Sequence, residues 1–132
     1  MKSIRFLRAA MLALAYIVAD STIALAAPED YEFQLVDDEI KQGNGVIAVR
    51  LVDKRSGNPV EDAVVFATRM DMAPDGMEAM TSPVEALPSD QPGVYRFKTN
   101  LSMVGNWRFS IAAKVQGEAD TVESRLEFKA VQ

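Results

Sequence analysis

Apolar and polar residues alternate through most of the chain after residue 30. Near the C-terminus the alternation runs over 107–115 and again over 122–130. A period of two over nine residues is typical of half-buried antiparallel strands, because successive side chains of a strand point to opposite faces. The residues predicted to point inward are Trp107, Phe109, Ile111, Ala113, Val115, Val122, Ser124, Leu126, Phe128 and Ala130.

Shorter apolar runs precede these two strands and are separated by turn residues. They predict strands over 31–35, 46–52, 63–70 and 94–99, and a short edge strand over 84–87. In the 94–99 strand, Tyr95, Phe97 and Thr99 are expected to point inward. No segment has a helical period of 3.6 residues. The spacing predicts an all-β fold, an immunoglobulin-like antiparallel β-sandwich of about seven strands, with Trp107 anchoring the core in place of a disulfide.

One segment, 71–91, lacks this regularity. It contains Pro74, Pro83 and Pro88, and only 84–87 within it has strand character. A twenty-residue irregular segment in a small domain is usually functional or disordered. The sequence therefore predicts a loop here that interrupts the strands and is not needed to close the core.

The first 26 residues have the order of regions found in a secretory signal peptide. Lys2, Arg5 and Arg8 precede an eleven-residue apolar run, and a small-residue cleavage motif ends at Ala26. Eleven apolar residues are too few to span a bilayer. We therefore predict a signal peptide over 1–26, a β-sandwich domain over 27–132, export to a bacterial periplasm and no stable membrane anchor after cleavage.

The charge of the exported chain excludes some partners. Removing the three basic residues and Asp20 of the signal peptide from 14 basic and 19 acidic residues leaves 11 and 18, a net charge of −7. An acidic domain without a basic patch is a poor ligand for nucleic acid or anionic lipid. Cations or basic proteins are the more suitable partners.

Residues for catalysis are missing from the composition. The chain has no histidine and no cysteine, so the common triads, thiol nucleophiles and zinc ligand sets cannot form. Glu78, Glu85 and Asp90 are expected to be solvated rather than catalytic. The prediction is a protein that is not an enzyme.

Methionines cluster in the segment RMDMAPDGMEAM (69–80), which contains Met70, Met72, Met77 and Met80. The turn at 74–76 folds the chain back, and thioether sulfur is a soft neutral ligand that selects Cu(I) or Ag(I). The alternative is that these flexible side chains fill gaps or contact a protein. Asp71 is expected to be a solvated charge or a turn acceptor.

Four motifs in the same order resemble the YtkA-like, or FixH-like, family of periplasmic domains. They are LVDKRSGNPVEDAVV (51–65), MDMAPDGM (70–77), PGVYR (92–96) and LSMVGNWRFSI (101–111). The resemblance covers about residues 46–115. It implies an immunoglobulin-like sandwich and an association with periplasmic adaptor subunits of heavy-metal efflux systems.

The resemblance also implies a ligand set. The methionines at matching positions are Met70, Met72, Met77 and Met103, whereas Met80 is a candidate by proximity alone. The predicted function is a Cu(I) or Ag(I) chaperone or efflux-pump helper that uses a methionine-rich loop. The alternative is an interaction or assembly module without metal, as in the FixH-like branch of cytochrome oxidase assembly, whose members carry a membrane anchor.

Overall fold

The part of the chain that the structure describes forms nine β-strands and almost no helix. The computed structural model describes residues 28–132, so the predicted signal peptide lies outside the described residues. The strands are β1 (Tyr31–Leu35), β2 (Glu39–Lys41), β3 (Gly43–Asp53), β4 (Val64–Met72), β5 (Met77–Ser82), β6 (Val84–Leu87), β7 (Val94–Leu101), β8 (Gly105–Lys114) and β9 (Thr121–Val131). Among the described residues, no helix has the length and apolar character needed to cross a membrane.

The strands form two sheets that pack face to face. One has the order β1-β3-β7-β6 and the other β2-β9-β8-β4-β5. Every pairing is antiparallel except that of β2 with β9. The predicted all-β immunoglobulin-like sandwich is confirmed. Two of the nine strands, β2 and β5, were not predicted from the sequence. β2 is only three residues long, and β5 lacks a regular alternation of apolar and polar residues.

The inward side chains of both sheets form one core. Trp107 and Phe109 of β8 are fully buried, and the Phe109 ring packs at 5.2 Å, centroid to centroid, against Phe97 of the opposite sheet. All ten residues predicted to point inward from β8, its C-terminal extension and β9 are buried or half-buried. Trp107 thus anchors the core by packing, as predicted. Burying aromatic side chains of this size supplies much of the hydrophobic stabilisation of a small sandwich.

The segment 71–91 is more regular than its composition predicts, so the prediction of a long irregular loop is wrong. Its residues form a short 3-10 helix, Ala73–Asp75, followed by β5 and β6. Gly76 ends the 3-10 helix with φ 74°, a left-handed conformation that glycine adopts at little cost. β5 pairs with β4 in one sheet, and after Pro83 the chain enters β6 in the other. The segment therefore connects the two sheets.

At the opposite end of the sandwich, Tyr95 fastens the 59–63 segment to β7. Its hydroxyl donates to the Val60 carbonyl at 2.8 Å and accepts from the Ala63 amide at 3.1 Å. Gly93 (φ +76°) lies so close to this segment that a Cβ there would be 2.4 Å from the Cβ of Pro59. These contacts hold the start of β4 in place.

Candidate functional site at the methionine end

The β4–β5 hairpin determines the positions of four of the five methionines in question. Met70 lies opposite Ser82, and Met72 lies opposite Met77, with a register shift between Asp71 and Met72. The 3-10 helix and Gly76 reverse the chain between the two strands, as the predicted turn requires. Met72 and Met77 are therefore neighbours across the hairpin.

Solvent reaches the five methionines very differently. Met70 and Met72 are 1% and 0% exposed and belong to the core. Met77 and Met80 are half-buried and pack against that core, whereas Met103 is 40% exposed. The prediction that the methionine segment is not needed to close the core is wrong, because β4 continues inward to Met72 and both of its terminal methionines fill the interior.

The turn between β7 and β8 lies against this hairpin. Asp75 accepts hydrogen bonds from the backbone amide and the side-chain amide of Asn106, at 2.8 and 2.9 Å. These two bonds hold the pKa of Asp75 below its ordinary value. The indole Nε1 of Trp107 donates to the carbonyl of Met103 at 3.0 Å, which fixes the turn that carries Met103.

Gly105 allows this close approach. A Cβ at this position would lie 2.6 Å from Oδ2 of Asp75 and 2.8 Å from Cε of Met72, and its φ is +147°. The hairpin and the turn therefore meet with no room for a side chain between them. We call this region, comprising residues 71–77 and the turn 102–106, the methionine end.

Asp71 is the one carboxylate buried at the methionine end. It is fully buried; its Oδ2 accepts from Nε of Arg69 at 2.8 Å and from Nη2 of Arg108 at 3.2 Å. Its Oδ1 accepts from the Ala73 amide at 2.9 Å. Burial alone would raise the pKa of Asp71, but the Ala73 amide and the two guanidinium groups outweigh it and lower that pKa.

Of the two roles expected for Asp71, a solvated charge or a turn acceptor, the structure confirms the second. It is a turn acceptor, because it bonds the amide two residues ahead. It is not solvated, because Arg108 lies directly opposite on β8 and covers it. The Asp-x-Ala-Pro order was the available sequence signal for the turn; nothing local marks the contact with a residue 37 positions away.

The chemistry available at the methionine end is that of neutral sulfur. Within residues 28–132, no three His, Cys, Asp or Glu side chains gather into a group that could hold a metal ion. Asp71 and Asp75 are occupied by guanidinium and amide donors. The thioethers of this region bind soft monovalent ions and need no deprotonation.

Two packed antiparallel sheets with a methionine hairpin at one end define an immunoglobulin-like sandwich domain. The model of the YtkA-like family matches residues 25–112 of the chain, two-thirds of its length. The protein belongs to the YtkA-like family, as the motifs predicted. The FixH-like part of the resemblance stays a prediction. No curated protein matches the chain.

One solved structure with a TM-score above 0.5 is similar at the level of the fold. A DUF4426 family protein from Pseudomonas aeruginosa is 18% identical and aligns over 82% of this chain and 98% of its own, with a TM-score of 0.52. The filamin domain of Lin-41 is 19% identical over 76% of this chain and 96% of its own, with a TM-score of 0.45. At such identities the likeness concerns the fold alone.

Proposed function

We propose that the protein is a periplasmic accessory domain of metal handling, a Cu(I) or Ag(I) chaperone or a helper of a heavy-metal efflux system. It acts by binding, without catalysis. The observation that supports this proposal is the convergence of the methionine segment and the turn carrying Met103 at one end of the sandwich, through the contacts of Asp75 with Asn106 and of Met72 with Gly105.

Burial divides the five candidate ligands into two groups. An ion arriving from solvent can contact Met77, Met80 and Met103, which retain exposed surface. Met70 and Met72 have almost none, and reaching them requires opening the core. We assign the first three to the ion and the other two to packing, where a flexible thioether fills irregular space well.

The acidic surface supports a basic partner. With a net charge of −7 after removal of the predicted signal peptide, the domain is attracted to positively charged surfaces, which raises association rates at low ionic strength. A periplasmic adaptor subunit of a heavy-metal efflux system is the partner that the family resemblance implies. Transfer of a soft ion between thioethers needs no proton release, so it can proceed through direct contact of the two proteins.

A Cu(I) titration against a chromophoric competing chelator tests the proposal. We expect the wild type to compete for Cu(I), and a Met77→Leu/Met80→Leu/Met103→Leu variant to lose this ability. Leucine preserves apolar bulk at each position, so the fold is retained. Absence of competition by the wild type contradicts the proposal, and full competition by the triple variant contradicts the assignment of Met77, Met80 and Met103 as the ligands.

A matched control is available on the same hairpin. Met70→Leu/Met72→Leu removes two thioethers from the core and none from the surface. We expect it to bind Cu(I) as the wild type does once its circular dichroism confirms a folded sandwich. Loss of binding in this variant, with binding retained in the triple variant, reverses the assignment of the ligands.

The second candidate function is an interaction or assembly module that binds no metal. The burial of Met70 and Met72 favours it, because these side chains already have a packing role. Under this function the triple leucine variant keeps its protein partner in a pull-down, and a Cu(I) chelator has no effect. A partner released by the chelator contradicts this second candidate.

A further inference from the structure

Six of the nine residues of strand β4 have an unpaired backbone edge. On one side, β4 pairs with β8 from Val64 to Asp71. On its other side β5 pairs only with Met70, Asp71 and Met72, because the chain leaves for the opposite sheet after Pro83. Among the described residues, the backbone from Val64 to Arg69 has no strand partner on that side. Unpaired strand edges are templates for another strand.

The outer strands of the two sheets have features that discourage pairing with a strand of another chain. β2 has three residues, including Glu39 and Lys41, and β6 has four residues between Pro83 and Pro88. β1 is a five-residue strand with polar residues at its second and fourth positions, and β5 is interrupted by a register shift. Short length, charge and proline all discourage edge-to-edge pairing. Residues 64–69 of β4 have neither proline nor lysine and form a longer run than β2 or β6, although their pairing with β8 shifts register between Val65 and Ala67.

Two large apolar side chains on the unpaired part of β4 are exposed. Val64 is 60% exposed and Phe66 is 58% exposed, the largest fractions among the large apolar side chains of the described residues. The pairing with β8 shifts between Val65 and Ala67, which marks Phe66 as a bulge residue. Val64 and Phe66 line an apolar concavity of about 450 Å³ with the stem of Lys114. We call residues 64–69 the free β4 edge.

Charges at the two ends of the free β4 edge have opposite signs. Glu61 and Asp62 precede it and Arg69 ends it, and all three are exposed. Arg69 uses Nε and Nη2 for Asp71 and Glu78, and no bond of its Nη1 is present within the described residues. Two copies aligned antiparallel would place Arg69 of each beside the acidic end of the other. A parallel alignment would place like charges together, which is unfavourable.

We propose that the free β4 edge is a dimer interface, at which two copies of this chain pair antiparallel about a two-fold axis. A two-fold interface brings the same surface of both copies together, so that surface must be complementary to itself. The free β4 edge meets this requirement because its two ends carry opposite charges. Each five-stranded sheet is thereby joined to its copy in a continuous ten-stranded sheet. The pairing satisfies the unpaired backbone groups and covers Val64 and Phe66.

Sedimentation equilibrium over a range of concentrations tests the interface on protein expressed from the full sequence. We expect a concentration-dependent dimer in the wild type. Phe66→Lys puts two lysines close together across the two-fold axis, and we expect the dissociation constant to rise about tenfold or more. The matched control is Val46→Lys, because Val46 is 41% exposed but lies on β3, an inner strand. It should dimerise as the wild type does.

A cross-linking experiment locates the contact independently. The chain has no cysteine, so Phe66→Cys carries a single thiol. With the two-fold axis at Phe66, the two thiols lie opposite each other within disulfide reach, and mild oxidation should give a covalent dimer that Val46→Cys does not. A wild type that stays monomeric up to about 1 mM, dimerisation unaffected by Phe66→Lys, or equal cross-linking at both positions overturns the proposal. A monomer that binds another protein through this edge also overturns it.

Discussion

Replacing Asp71 by asparagine removes the buried charge at the methionine end while keeping the shape of the side chain. In the native protein its Oδ2 accepts from Arg69 and Arg108. The amide of asparagine can still accept from the Ala73 amide through its oxygen. Its nitrogen then faces two guanidinium donors, so both charge-assisted bonds are lost.

The size of the effect follows from these two bonds. A hydrogen bond to a charged group contributes about 1.5–3 kcal/mol, so the loss of two has an upper limit of about 6 kcal/mol. The side chains of Arg69 and Arg108 are 53% and 23% exposed and can regain water, which favours the lower part of the range. We expect Asp71→Asn to lower the free energy of unfolding by about 3 kcal/mol, and the Tm by about 12 °C or more.

Urea unfolding followed by tryptophan fluorescence measures this effect. Trp107 is the only tryptophan of the chain and is fully buried, so its emission reports on the core. The control is Asp53→Asn, which removes an exposed ion pair with Arg55 and should cost less than about 1 kcal/mol. An Asp71→Asn protein as stable as the Asp53→Asn protein refutes the reasoning.

The stability difference between wild type and Asp71→Asn should depend on pH. Because the pKa of Asp71 is lowered in the folded state, its contribution to stability is complete above the unfolded pKa of about 3.9 and is lost as the pH falls through the folded value. The stability difference between wild type and Asp71→Asn should therefore be constant near neutral pH and shrink below about pH 4. A difference that grows on acidification contradicts the lowered pKa.

Substitutions at Met72, Tyr95 and Gly93, with their controls, test the packing. Met72→Ala should cost about 2–5 kcal/mol in urea unfolding, because the residue is fully buried, whereas Met72→Leu should cost less than about 1.5 kcal/mol; equal losses would contradict its role in the core. Tyr95→Phe removes both hydrogen bonds of the hydroxyl and should lower the free energy of unfolding by about 1–3 kcal/mol in the same assay. An unchanged free energy of unfolding would contradict a stabilising role of these two bonds. Gly93→Ala should destabilise more than Gly57→Ala in thermal unfolding, because both have positive φ but only at Gly93 does a Cβ meet Pro59. Equal effects would remove the steric argument.

Much of the fold was predictable from local pattern. β8 and β9 alternate strictly, and Trp107, Phe109 and Phe128 lie on the buried faces that this alternation predicts. The reason is that a strand's side-chain period is two whatever its neighbours are. β5 was not predictable, because its residues lack β-branched alternation and become a strand by pairing with the end of β4.

The candidate site depended on contacts between distant parts of the chain. The residue types alone indicated that any bound ion would be soft, because methionine is present and histidine and cysteine are absent. Which methionines remain open to solvent was decided by the packing of β4 into the core, and the burial of Asp71 was decided by Arg108 on a neighbouring strand. The free β4 edge exists because the chain changes sheets after Pro83. Local alternation determines where strands form; their burial, partners and open edges depend on residues far apart in the chain, which only the tertiary structure brings together.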